Sequence, residues 1–155
     1  MRNTFRLGIL LMLSLSLLSS ICSSDDNDTD SNSYQIQQIK TAMQMGNWII
    51  TYFEDSGTIE TNNFSGYIFT FASNDNLIAN NNANMYTGTW SVTNSSSSSS
   101  SSSDDIDFNI LFNSPPNFEE LSEDWDIISH TSAKIELIHV SGGNGGTDYL
   151  TFERQ

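Results

Sequence analysis

From Gly46 onward, large apolar residues alternate with polar ones in short runs, the two-residue period of a strand with one buried face. Eight segments follow it: WIITYFE (48–54), GYIFTFA (66–72), NLIAN (76–80), MYTGTWSVT (85–93), IDFNILF (106–112), DWDIISH (124–130), KIELIHV (134–140) and TDYLTFE (147–153). Six of the eight carry aromatic residues, and β-branched residues recur throughout, the side chains that fit a pleated surface. SNDN (73–76), SHTSA (129–133) and SGGNGG (141–146) supply turn chemistry between them. Short links between consecutive strands predict an antiparallel meander. Eight such strands close into an all-β, up-and-down barrel with no exposed edge. Ahead of them, YQIQQIKTAMQM (34–45) shifts to three- and four-residue spacing at Ile36, Ile39 and Met43. That predicts a short N-terminal helix leading into the barrel.

Two links are longer. Nine consecutive serines, Ser95–Ser103, carry neither periodicity nor an apolar residue and predict a flexible loop. NSPPNFEELSE (113–123) predicts a helical turn entered at Pro116, with Phe118 and Leu121 placed to tuck over one barrel end.

The first 21 residues follow another logic. MRNTFR has two arginines and no acid, and LGILLMLSLSLL is apolar for about a dozen residues, the form of a secretory signal. A membrane-spanning helix needs roughly 20. The chain's one cysteine, Cys22, comes directly afterwards. A lone cysteine in an exported chain has no internal disulfide partner. Leu18-Ser19-Ser20-Ile21-Cys22 resembles a bacterial lipobox, which implies a lipid anchor on Cys22. The other reading is an ordinary signal cut near Ser20 that leaves a free thiol. SSDDNDTDSNS then resembles the acidic export signal that follows the lipobox in Bacteroidetes-type lipoproteins, and it also suits a solvated tether over 22–33.

Charge narrows the partners. The whole chain carries −14. Loss of the leader removes Arg2 and Arg6 but no acid, leaving Lys40, Lys134 and Arg154 against 19 acidic residues, a net charge of −16. Such a surface repels nucleic acid and anionic headgroups. The expected location is the bacterial outer membrane, lipid-anchored and exposed at the cell surface.

Gly46-Asn47-Trp48 opens the first strand after a short helix, and Arg154 ends the last. This pattern resembles the lipocalin family, and 34–155 resembles the small lipocalin-like lipoproteins of Bacteroidetes. The resemblance implies that Trp48 plugs a closed barrel end with Arg154 packed across its indole, a cation–π contact of about 0.5 to 2 kcal/mol. It also implies a cavity that takes a small apolar ligand. The alternation proposes Ile50, Tyr52, Phe69, Phe71, Phe108, Ile110, Trp125 and Leu137 as its lining, with Tyr52, Tyr67 and Tyr86 as polar tips. A barrel of this size is just wide enough for one small ligand or for its own side chains. A packed barrel serving as a structural or interaction module is therefore the alternative.

Catalysis has little to stand on. No nucleophile signature is present, and the acidic run Glu119, Glu120, Glu123, Asp124 and Asp126 reads as a charged barrel rim. His130 and His139, without a cysteine or an ordered carboxylate, read as solvated strand residues and not as a metal site. The expectation is a non-enzymatic protein with no catalytic residue, metal or cofactor.

Overall fold

The computed structural model describes residues 28–94, 106–142 and 145–155. The leader, Cys22 with its expected lipid, the first part of the tether and the polyserine run lie outside the described residues.

The period-two segments form the staves of a closed antiparallel barrel. Helix α1 (Asp28–Gln44) leads into β1 (Trp48–Asp55), which turns back through the two-residue β2 (Thr58–Ile59). A 3-10 turn at Thr61–Phe64 follows, then β3 (Ile68–Phe71), β4 (Asn76–Asn80), β5 (Met85–Asn94) and β6 (Ile106–Leu111). The short helix α2 (Pro116–Glu119) precedes β7 (Asp124–His130), β8 (Lys134–Val140) and β9 (Thr147–Arg154). Neighbours pair in chain order from β3 to β9, and β9 returns to β1 in a ladder from Trp48↔Arg154 to Glu54↔Tyr149. The circle closes at Trp48↔Phe69 between β1 and β3.

That last seam is narrow, because β1 leaves β3 to pair with β2. The 3-10 turn fills the gap: the Phe53 amide donates to Thr61 Oγ1 (2.8 Å) and the Glu60 amide to the Phe53 carbonyl (2.9 Å). The β1–β2 hairpin was not expected from the sequence. It turns at Ser56 (φ 48) and Gly57 (φ 86), the paired left-handed conformations of a tight hairpin.

Two expectations shift. The helix begins at Asp28, so 28–33, read as tether, is helical. The cause is tertiary: Asn32 is buried and its amide donates to Asn94 Oδ1 at the end of β5 (3.1 Å), an anchor outside the helix's own sequence. The second shift is in β1. Its register to β9 slips between Ile50 and Tyr52, a β-bulge at Thr51 that turns the following residues to the opposite face. Phe53, not Tyr52, therefore enters the barrel.

Both ends of the barrel are covered. At one end Ile39 and Met43 of α1 are buried, and the Trp48 indole donates to the Met43 carbonyl (2.8 Å). At the other, Phe64 of the 3-10 turn and Phe118 and Leu121 around α2 are buried, as the apolar positions in 113–123 predicted. Pro116, in the first turn of α2, suits a position where no amide hydrogen is needed. The other two indoles repeat the Trp48 arrangement, Trp90 donating to Ala72 and Trp125 to Leu121, each at 3.0 Å. A buried indole N–H left without a partner costs about 1–3 kcal/mol, so each tryptophan holds a connecting segment against the barrel.

Candidate functional site

The barrel interior is where the sequence places a ligand, and of the proposed lining Ile50, Phe69, Phe71, Phe108, Ile110, Trp125 and Leu137 are all buried. What they line is one another. Phe71 sits among Trp48 (ring centroids 6.4 Å apart), Trp90 (5.2 Å), Phe108 (5.8 Å) and Phe152 (5.4 Å). Nearer the α2 end, Phe118 sits among Phe64 (5.3 Å), Tyr67 (5.0 Å), Phe69 (6.1 Å), Tyr86 (4.9 Å) and Phe112 (5.1 Å). Phe69 and Phe152, 5.2 Å apart, join the two groups. Most of these pairs meet edge to face, the arrangement the ring quadrupole favours by about 0.5–1.5 kcal/mol beyond area burial. Centroids this close leave no room for a guest between the rings they join. Among the described residues, touching aromatic side chains run from Trp48 at the α1 end to Phe118 at the α2 end.

Tyr52 is the correction among the proposed lining residues. It stands on the outer face, where its hydroxyl donates to Glu54 Oε2, and that hydrogen bond raises the phenol's pKa above 10.0. The one-residue slip at Thr51 is the reason, since it reverses every side chain beyond it. Tyr67 and Tyr86 belong instead to the aromatic group around Phe118, their rings 5.9 Å apart. Burial, and then the hydrogen bond to Tyr86, raise the Tyr67 pKa.

The closing pair is present in a different form. Trp48 and Arg154 are cross-strand partners, but the Arg154 stem lies against Gly46, where a Cβ would come within 3.2 Å of Cδ. The guanidinium makes a long hydrogen bond to the Met45 carbonyl (3.5 Å). Gly46 has φ +96, a conformation that side chains rarely adopt, and this lets the chain pass from α1 into β1 beneath the arginine. Trp48 itself is covered by Met43 and Phe71. The expected cation–π stack is thus replaced by a main-chain contact.

Outside the barrel, Tyr52, Tyr149, Ile128 and the Lys134–Glu136 ion pair (2.6 Å) border a shallow depression of about 510 Å³. Ile128 is exposed because β7 carries its own bulge between Ile127 and Ser129. A second groove, of about 450 Å³, runs between α1 and the β7–β8 turn, edged by Tyr34, Met45 and His130. The other histidine, His139, stands with Glu123 and Asp124 near the α2 end, so part of the expected acidic rim surrounds an imidazole.

No protein-family model, curated protein or solved structure matches this chain. Its function is therefore argued from geometry. Among the described residues no helix is long and apolar enough to cross a membrane. Among the interior residues outside the proposed lining, Phe53 and Phe64 are aromatics in positions that simple alternation does not assign. A weak signal for Phe64 exists, as a lone aromatic in the polar run TNNFSG (61–66).

Proposed function

We propose that this protein is a solid β-barrel that works through its exterior, an interaction module held at the bacterial outer membrane by a lipid on Cys22. The observation that carries this reading is the interior: the rings around Phe71 and Phe118 occupy the space a carrier would leave open, and α1 and α2 cover the two ends. Small-molecule sites are concave and largely preformed, and an apolar guest would have to displace several buried aromatic side chains. Large apolar residues stand outside instead. Tyr34, Ile128 and Val140 are each more than half exposed. A net charge of −16 after loss of the leader favours neutral or cationic partners over polyanions.

Native mass spectrometry of the protein purified from its own cells tests the reading. The expected result is a mass equal to the chain plus its acyl groups, with no further component released on denaturation. A stoichiometric small molecule that leaves when the barrel unfolds would overturn it in favour of a carrier. Cys22→Ala tests the anchor separately, and retention of this variant in the membrane fraction would remove the lipid from the proposal.

A further inference from the structure

His139 lies near the end of β8 and pairs with Asp148 of β9, on the sheet face that Ile135 and Leu137 share. Its ring stands edge-on to Trp125, centroids 6.2 Å apart, and its side chain is 18% exposed. The connection from α2 brings Glu123 and Asp124 to it. Nδ1 is 3.2 Å from the Asp124 main-chain oxygen and 3.6 Å from Asp124 Oδ1, while Nε2 is 3.5 Å from Glu123 Oε2.

A carbonyl oxygen only accepts, so the hydrogen of a neutral His139 sits on Nδ1. Nε2 is then a bare lone pair facing a carboxylate oxygen that is equally bare. Two acceptors in that position call for a cation, either a proton on Nε2 or a metal ion. Their separation is longer than the roughly 2.7–2.9 Å of a charge-assisted hydrogen bond. It matches the spacing of about 3.4 Å between two ligands that each hold a tetrahedral ion at about 2.1 Å. Fixing one ring nitrogen on a carbonyl to aim the other is also how metal-binding histidines are oriented.

We propose that His139 Nε2, Glu123 and Asp124 bind a divalent transition-metal ion of the zinc type. A carboxylate oxygen from each acid and one ring nitrogen of His139 lie within 4.8 Å of one another, Glu123 on the Nε2 side and Asp124 on the Nδ1 side of the ring. Two carboxylates and a neutral imidazole balance the charge of such an ion. The imidazole selects against calcium and magnesium, which take oxygen shells, and a mixed nitrogen–oxygen set suits zinc, nickel or copper. Asp124 is largely exposed, so the remaining coordination positions open to solvent. The bound ion ties the α2 connection to β8. This inference is independent of whether the barrel is a carrier.

The test is calorimetric titration of the metal-free protein with Zn²⁺, in a Cys22→Ser background that carries neither the proposed lipid nor an unacylated thiol that would compete for the ion. The expected result is one equivalent bound, weakened at least about tenfold by His139→Ala and by Glu123→Gln, unchanged by His130→Ala and not displaced by Ca²⁺. Ni²⁺ should quench indole fluorescence in the same protein, and less so with Trp125→Phe. If His139→Ala fails to fold, Glu123→Gln carries the comparison. Absence of binding would return His139 to a simple ion pair with its carboxylates. Binding that survives both substitutions would be adsorption to the acidic surface, and either result overturns the site.

Discussion

Gly88 and Phe112 share one space. A Cβ on Gly88 would come within 2.8 Å of Phe112 Cδ1 and would collide with the Leu111 carbonyl oxygen. Gly88 is an inward position of β5, two residues before Trp90, and Phe112 folds over it just past the end of β6. Gly88-Thr89-Trp90 repeats the Gly-x-Trp spacing of Gly46-Asn47-Trp48, and its glycine is a packing position whose missing side chain admits the Phe112 ring.

Gly88→Ala should therefore destabilise the protein by about 1–3 kcal/mol, the usual cost of forcing an added carbon into a filled core. At an unconstrained strand position the same change would stabilise by roughly 0.5–1 kcal/mol. Equilibrium urea denaturation decides between the two, and a stabilised variant would mean that Phe112 does not occupy the space.

The bulge at Thr51 makes opposite predictions for two adjacent aromatics. Phe53→Ala removes a fully buried ring in contact with Phe64 (5.3 Å) and should cost about 3–5 kcal/mol. Tyr52→Ala removes an outer side chain hydrogen-bonded to Glu54 and should cost less than about 1 kcal/mol. Without the bulge the two values would exchange places, and denaturation of both variants reads the difference directly.

The same bulge marks where the sequence stops being legible. Apolar alternation located all eight staves, because the period of two is set by the pleat and needs no tertiary information. It could not locate the slip in WIITYFE, since each residue from Trp48 to Phe53 is compatible with either face. Phe118 was legible as an apolar side chain in an otherwise polar link. The start of α1 was not, because Asn32 is held by Asn94, more than sixty positions along the chain. The decisive question, cavity or filled core, was closed to sequence for a different reason. Alternation says which side chains point inward and nothing about whether they meet, and here Phe71 of β3 and Phe108 of β6, three strands apart in the sheet, meet inside the barrel at 5.8 Å. At His139 the sequence supplied the imidazole and both acids, but only the path of the α2 connection brings Glu123 within 3.5 Å.

Phe118 offers a test of the filled interior that needs no natural ligand. Its ring lies against Phe64, Tyr67, Tyr86 and Phe112, so Phe118→Ala should cost about 3–5 kcal/mol and leave an apolar void at the α2 end. Engineered voids of this type bind small apolar molecules. Benzene or xenon should raise the melting temperature of Phe118→Ala and leave the parent unchanged. A parent stabilised to the same degree would already contain the cavity.

Glu120 sets a pH dependence of predictable sign. Partial loss of hydration first, and then the neighbouring Glu60 and Asp55 carboxylates, raise its pKa above the usual 4.5. The folded chain thus holds this proton more tightly than the unfolded chain. Its contribution to stability is complete below the usual value and is lost as pH rises through the raised one. Glu136 runs the other way: hydrogen bonds from Lys134 and then Ser129 lower its pKa, so its contribution is present above 4.5 and lost as acid passes the lowered value. Glu120→Gln removes the first effect alone. The variant should be more stable than the parent at neutral pH, by less than about 1 kcal/mol because solvent screens an exposed side chain. That advantage should shrink as pH falls through about 4 and vanish by about pH 3, where the parent's carboxyl is protonated in both states. Thermal melts of the pair across this range give the sign, and an advantage that persists in acid would show that the gain comes from packing and not from relief of carboxylate repulsion.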